Sequence, residues 1–443
     1  MGSVVVLGGG SAGEAFVAAL RRLDADVEIV LVERALVGGE CTYWACMPSK
    51  TLLRAPELLA AVRLAPGAAE AVSGALDLER VFWWRDQVVD GYDDEGHGTW
   101  LADRRVELVR GDATVVEPGV VDVGGRALHY DKLVIATGSR PALPPVEGIA
   151  DVPSWTTADA TAAREVPRSL IVVGGGASGV ELAQLYGRLG ADVAIVQRSR
   201  LLTKMDEEAA ALLQQRLEEE GVHVRLGAGV ERVEQAGDGV SLQLSDGDML
   251  VAERLLVAVG RDPNVEGLGL ERVGVALTAR GIAVDEYLAA AEDVWAIGDV
   301  TGVALFTHVA KYQARVAAAN VAGQQRAADY RAVPAVVFTD PQVAQVGTVT
   351  GSGLVSALWE VNRTSRASSY ERPKRTGFVK LVADPKRRVL VGAVAIGPEA
   401  GEWLQQVTLA IRAEVSIDVL RDTIQPFPTF SEAISFAARD LPI

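Results

Sequence analysis

Short apolar runs alternate with amphipathic stretches along most of this chain. VVVLGGGSAG, residues 4–13, sets an apolar strand directly before a glycine turn. EAFVAALRRL, 14–23, then has helical spacing, and VEIVLVE, 27–33, reads as a second strand. The same succession returns in SLIVVGGGASGVELAQLYGRLGADVAIVQRS, 169–199. After about residue 326 the pattern changes. RAVPAVVFTDPQVAQVG, 331–347, is strand-like, and AGEWLQQVTLAIRAE, 400–414, reads as a helix. Strands alternating with helices predict an α/β fold built on parallel sheets, with a different arrangement at the C-terminal end.

The glycine turns carry chemistry. In the first, Gly8, Gly10 and Gly13 form G-x-G-x-x-G, and the following strand ends on Glu33. That spacing suits a dinucleotide. Glycines let the backbone approach the pyrophosphate, the helix N-terminus offers N–H groups, and the acid accepts from a ribose hydroxyl. In the second, Gly174, Gly176 and Gly179 repeat the spacing, but the strand ends on Gln197 and Arg198. An acid there would repel a 2′-phosphate, whereas neutral and basic residues suit NADP. Arg198 and Arg200 are the candidate clamps. Two such units imply two nucleotides. Glu33 suits FAD as well as NAD, so FAD is expected in the first unit and the nicotinamide cofactor, NADPH with NADH left open, in the second.

Composition narrows the setting. A chain of 443 residues is too long for one ordinary core, so two or three domains are expected. No apolar run reaches membrane-spanning length, and MGSVVVLGGG enters a strand without a signal-peptide pattern, so a cytoplasmic location without membrane insertion is expected. A formal net charge of −16 disfavours nucleic acid as a partner.

The chain has two cysteines, both in GGECTYWACMPSK, 38–50. In a reducing compartment two cysteines this close read as redox chemistry better than as a structural staple. On a regular helix the rise alone would separate Cys41 from Cys46 by roughly 7.5 Å, against a disulfide Cα–Cα limit of roughly 7 Å. Either the first turn is distorted or Cys41 precedes the helix. Gly38 and Gly39 allow such an entry, Pro48 is tolerated early, and SKTLLRAPELLAAVRL continues as a helix despite Pro56. Lys50, four residues after Cys46, would share its side of a helix and could stabilise negative charge.

At this point the sequence resembles the FAD-dependent pyridine nucleotide-disulfide oxidoreductases, the family of dihydrolipoamide dehydrogenase, glutathione reductase and mercuric reductase. Residues 4–13 resemble its FAD fingerprint and 38–50 its redox loop. VIATGSRP, 134–141, containing Gly138, resembles the segment closing the first FAD part. VAVGRDPN, 257–264, resembles the end of the NAD(P) domain, and VWAIGDV, 294–300, the second FAD fingerprint. The resemblance implies two Rossmann-like domains and a C-terminal α+β dimerisation domain. The expected layout is an FAD domain at 1–145 resuming at 269–325, an NAD(P) domain at 146–268 and a dimerisation domain at 326–443, assembled as a homodimer. It implies electron flow from NAD(P)H through FAD to a Cys41–Cys46 disulfide and on to a disulfide or thiol-reactive substrate. Cys46 takes the role of the thiolate against the flavin, Cys41 that of the attacking thiol, Lys50 and Glu181 those of an ion pair near the nicotinamide, and Asp299 that of the ribityl ligand.

One family feature is missing. The family's catalytic histidine lies in a His-Pro-Thr-x-Ser-Glu segment reaching the partner subunit, and PFPTFSEAI, 426–434, has Phe427 in its place. The four histidines are His97, His129, His223 and His308, none of them in this segment. Phenylalanine cannot transfer a proton, which leaves Glu432 as the candidate acid. LVGAVAIGPEAGEWLQQVTLAIRAEVSIDVL, 390–420, is similar to the C-terminal domain of mercuric reductase, but no further cysteine pair follows it. Two alternatives stand beside disulfide reduction: a quinone or dye reductase acting from the flavin, with Trp44, Trp83 and Trp84 lining an acceptor pocket, and a mercuric reductase-like metal reductase. The basic, Ser-rich stretch 362–377 reads as a solvated loop.

Overall fold

The computed structural model describes residues 2–24, 26–370 and 377–443. The chain forms two units. One comprises Met1–Ser49, Trp83–Ala142 and Gly260–Asp329, and the other Lys50–Phe82, Leu143–Val259 and Tyr330–Ile443. Among the described residues no helix is long and apolar enough to cross a membrane.

The first unit is built on strand β1 (Ser3–Leu7), helix α1 (Ser11–Leu23) and strand β2 (Glu28–Glu33). β1 pairs in parallel with β2 on one side and with Lys132–Ile135 on the other. The six-stranded sheet runs Ala289–Ala291, Val294–Ala296, Lys132–Ile135, β1, β2, Val106–Arg110. β1 is apolar from Val4 to Leu7 because both faces are covered, with Val4 and Val6 in one core and Val5 and Leu7 in another. Strand order reverses at β1, so its C-terminal end opens on the crevice where such sheets bind ligands.

The second unit repeats this plan. Ser169–Val173 lies between Asp192–Gln197 and Arg254–Val257 in a five-stranded parallel sheet, with helix Ala177–Leu189 following the glycine turn. The same unit contains a five-stranded antiparallel sheet in the order Pro334–Val337, Gln342–Gly347, Val389–Gly397, Phe378–Asp384, Val355–Glu360. The helix Glu432–Asp440 packs on it through Ala433, Ile434 and Ala437. After residue 326 the main sheet is wholly antiparallel, whereas the two sheets that follow the glycine turns are mainly parallel. In the stretch 362–377 a short helix, Ser365–Tyr370, is formed. Residues 371–376 of that expected loop lie outside the described residues.

Candidate active site

The two glycine turns have one geometry. A Cβ on Gly13 would lie 2.0 Å from the Gly8 carbonyl oxygen, and one on Gly179 would lie 2.0 Å from that of Gly174. These residues must be glycine for helix and strand to pack this closely. Gly10 and Gly176 face room instead. A Cβ on Gly10 would meet only the Gly39 Cα, at 3.8 Å, and one on Gly176 would meet nothing within 4 Å. That room, in front of a helix N-terminus with free N–H groups, fits a pyrophosphate in each unit.

The end of each second strand is tied to its own turn. The Glu33 carboxylate accepts from Gly9 N at 2.7 Å and Ala35 N at 2.8 Å. Gln197 Oε1 accepts from Gly175 N at 2.9 Å, the corresponding bond in the second unit. Gln197 therefore occupies the position of Glu33, with an uncharged amide in place of a carboxylate. Arg198 is exposed beside it. Arg200 is committed elsewhere. Its terminal nitrogens donate to the carbonyls of Leu201, Leu202, Thr203 and Met205, so it shapes its own loop and does not extend as a clamp.

The cysteine loop departs from a continuous helix, as the two thiols require. Cys41 lies in a short helix, α2 (Gly39–Tyr43), which ends at Trp44 with φ −130° and ψ 0°. Helix α3 (Cys46–Leu64) starts afresh, with Ser49 N donating to Ala45 O at 3.1 Å. Pro48 sits in the first turn, where its missing N–H leaves no intrahelical bond broken. The helix continues through Pro56, which costs it an interior bond. The break brings the cysteines together as two thiols within hydrogen-bonding reach of each other. The Thr307 hydroxyl lies 3.0 Å from Cys41 Sγ and 3.5 Å from Cys46 Sγ. The hydrogen bond with Cys46, followed by burial, pushes the Cys41 thiol far above the ordinary cysteine range, while contacts with Thr307 and Ser11 pull it down.

The loop is pinned to the first glycine turn. Gly38 N donates to Gly9 O at 2.8 Å, and Gly10 and Gly38 form an isolated β-bridge. Gly39 has φ +65°, and a Cβ there would fall 2.8 Å from Gly10 Cα. Gly39→Ala is expected to destabilise this unit by about 1–3 kcal/mol, because the strained backbone and the close approach act together. A fall in the thermal midpoint relative to wild type checks this, and an unchanged midpoint would refute it.

The fold brings His97 beside the loop. Its Nδ1 lies 2.6 Å from Glu14 Oε1, and a Cβ on Gly38 would lie 3.1 Å from its ring. Burial raises the Glu14 pKa despite this partner. His308 stacks on Phe306, with ring centroids 5.1 Å apart. Neither Glu14 nor a role for His97 was visible in the sequence, because their approach depends on how α1 and the helix Glu95–Ala102 pack.

Asp299 accepts a hydrogen bond from Ser139 Oγ at 2.7 Å, and Ser139 in turn accepts from Arg261 Nε at 2.7 Å. Gly138 precedes Ser139 with φ +70°. Ser139 and Arg261 lie inside the motifs 134–141 and 257–264, but neither motif records that they meet at Asp299. In the second unit Lys50 Nζ donates to Glu181 Oε2 at 2.7 Å, and Phe338 N donates to Glu181 Oε1 at 2.8 Å. The Lys50 ammonium also stands 4.9 Å from the Phe338 ring centroid. Glu181 is thus a buried carboxylate with both oxygens satisfied. At the C-terminal end Phe427 is 73% exposed. Glu432 opens its helix and accepts from Thr429 N at 3.2 Å. Trp83 and Trp84 are exposed on the helix Leu78–Val88.

Comparison with known proteins accounts for nearly the whole chain. Residues 2–325 match the family described as pyridine nucleotide-disulphide oxidoreductase, and 333–438 match its dimerisation domain. The chain belongs to the pyridine nucleotide-disulphide oxidoreductase family. It is 36% identical to a dihydrolipoyl dehydrogenase of Thermus scotoductus, over 99% of this chain and 97% of that protein. It is 35% identical to a mercuric reductase of Streptomyces lividans, over 97% and 94% of the two chains. Among solved structures it resembles the Cu(II) complex of the HOCl-induced flavoprotein disulfide reductase RclA from Escherichia coli, with a TM-score of 0.86, 27% identity and 99% of each chain covered. It is therefore an enzyme of the NAD(P)H-dependent FAD disulfide oxidoreductase class, with the mixed α/β fold of that family. The family binds FAD and a pyridine nucleotide.

Proposed function

We propose that this enzyme is an NADPH-dependent disulfide reductase, acting as a homodimer in the cytoplasm, in which Cys41 and Cys46 alternate between dithiol and disulfide. The observation that carries this reading is the pair of adjacent thiols sharing the Thr307 hydroxyl. FAD, when bound, supplies a two-electron carrier between the nicotinamide and the cysteine pair. Gly8, Gly10, Gly13, Glu33, Gly138 and Asp299 would hold it, and Gly174, Gly176, Gly179 and Arg198 would hold the coenzyme. Gln197 supports NADPH over NADH, since it removes the charge that would repel a 2′-phosphate. Arg200 contributes by shaping the loop that presents Arg198.

The remaining roles follow from chemistry at named atoms. Cys41 attacks the substrate disulfide, forming a mixed disulfide and releasing one thiolate. Cys46 then attacks Cys41 Sγ, releasing the second thiolate and closing the internal disulfide. Each leaving thiolate takes up a proton, and two electrons from NADPH restore the dithiol. The Thr307 hydroxyl steadies whichever sulfur carries negative charge. Lys50 and Glu181 hold a fixed charge pair whose positive end suits a developing anion. Glu432, five residues after Phe427, opens the helix that follows the vacant acid position. The homodimer is supported by the match to the dimerisation domain and by two apolar side chains there, Ile424 and Phe427, left 94% and 73% exposed.

A second reading is reduction of a thiol-bound metal ion. It is favoured by Phe427, since a metal ion held by Cys41 and Cys46 would take two electrons from NADPH and leave both sulfurs on the protein, so that no substrate thiolate is released to be protonated. One relative is a mercuric reductase, and the solved RclA structure is a Cu(II) complex. The test is anaerobic titration of the purified protein with NADPH under visible absorbance. A long-wavelength thiolate–flavin band is expected. Bleaching without that band would overturn the disulfide reading and favour quinone or dye acceptors.

A further inference from the structure

Glu40 stands directly before Cys41, and its carboxylate forms a close ion pair with Arg261 Nη2. Arg261 is held by its strand, Arg261–Pro263, which pairs antiparallel with Ser139–Pro141. The same guanidinium donates from Nε to Ser139 Oγ at 2.7 Å and from Nη2 to the Ser139 carbonyl at 2.8 Å. Ser139 Oγ then donates to Asp299 Oδ2 at 2.7 Å, and Arg261 Nε lies 3.8 Å from that same oxygen. One guanidinium is therefore shared between two carboxylates, one beside the attacking cysteine and one at Asp299.

We propose that Glu40 is a positioning residue that holds Arg261 away from Asp299, leaving the Asp299 carboxylate able to bind the flavin's ribityl chain while anchoring the cysteine loop to that site. The inference rests on the reading of Asp299 as an FAD ligand. The physical reason is competition for a single cation. While Glu40 is charged, Arg261 is drawn toward the cysteine loop, hydrogen-bonds to Asp299 only through Ser139 and stands off from its carboxylate at 3.8 Å. Once Glu40 is neutral, Asp299 is the remaining carboxylate within 4 Å of Arg261 among the described residues, and the guanidinium closes on it. A direct Arg261–Asp299 pair would occupy the lone pairs a ribityl hydroxyl needs. The cysteine loop would lose its polar tether at the same moment.

The experiment measures FAD affinity by reconstituting FAD-stripped protein, followed by flavin fluorescence, with thermal melting as a folding control. Glu40→Gln is expected to weaken FAD binding about tenfold, the size of effect expected for a charge-assisted hydrogen bond. Glu40→Asp, which keeps the charge, is expected to stay within about threefold of wild type. In an Arg261→Gln background the further change Glu40→Gln is expected to alter affinity by less than about twofold, because the competing cation has been removed. Asp299→Asn serves as the independent reference. If Asp299→Asn leaves FAD affinity unchanged, the assignment of Asp299 fails and the proposal with it. If Asp299→Asn weakens binding while Glu40→Gln matches wild type, the assignment stands and the proposal is overturned. A Glu40 effect of equal size with and without Arg261 also overturns it. Should Glu40→Gln fail to fold, Glu40→Asp and the charge exchange Glu40→Arg with Arg261→Glu decide, and the exchange is expected to recover affinity over Arg261→Glu alone.

Discussion

Phe427→His is expected to raise NADPH-driven reduction of a small disulfide by about 10²-fold near neutral pH, toward the lower end of what general acid–base help typically contributes. The missing group is a proton carrier for the thiols. In the present site the Cys41 thiol is pushed far above its ordinary range by its hydrogen bond to Cys46 and by burial. In the proposed mechanism only its thiolate attacks, so the wild-type rate should climb about tenfold per pH unit through the neutral and alkaline range. An imidazole able to take that proton removes the dependence, and the gain from histidine should shrink as pH rises and the thiol ionises unaided. The substitution carries little folding cost, because Phe427 is mostly exposed. Its surroundings are already framed: Thr429 Oγ1 donates to Pro426 O at 2.7 Å, and Glu432 accepts from Thr429 N. Glu432 would then orient the ring, as a carboxylate commonly does for a catalytic imidazole. The check is kcat/KM from about pH 6 to about pH 10, bracketing the histidine and thiol ranges. An unchanged value across that range would mean that proton transfer does not limit this enzyme, or that residue 427 does not meet the thiols.

Cys46→Ser is expected to lower disulfide reduction at least about 10³-fold, because in the proposed mechanism the second thiol resolves the mixed disulfide and stores the electron pair. Reduction of quinones or dyes should persist within about tenfold, since those acceptors need no dithiol. The variant also makes a prediction about Cys41. The hydrogen bond with Cys46 is the largest cause raising the Cys41 thiol, and a serine hydroxyl carries no negative charge and can donate to a Cys41 thiolate. Cys41 should therefore ionise more readily in the variant, and alkylation by iodoacetamide near neutral pH should be faster than in the reduced wild type. Slower alkylation would mean that burial, not Cys46, controls that thiol. Retained disulfide reduction would show that the cysteines are auxiliary and that the acceptor is served from the flavin.

Much of this protein was legible in short, local patterns. Strand, glycine turn, helix and strand are contiguous in sequence, so their spacing alone exposes both dinucleotide folds. Two cysteines five residues apart imply a break in the helix, because helical rise cannot bring them together, and the break falls between Tyr43 and Cys46. The absent histidine at Phe427 could be read directly against neighbours that match the family pattern. Arg200 marks where local reading stopped working. A basic residue after the second strand looks like a phosphate clamp, yet its donors are taken by four carbonyls of its own loop. Sequence spacing does not reveal whether a guanidinium is already occupied.

The sequence by itself determined the family, the α/β fold and the residue types present for two nucleotides and one cysteine pair, since each of these is encoded in contiguous motifs whose backbone requirements are strict. Only the tertiary structure decided which groups meet. Ser139 and Arg261 come from motifs about 120 residues apart and join Glu40 to Asp299 only because two short strands pair. Thr307 reaches both sulfurs from a helix about 260 residues further along the chain. Hydrogen bonds and ion pairs act over a few ångströms, whereas the separations between these partners along the chain are set by the connections of the fold, and no local pattern records them.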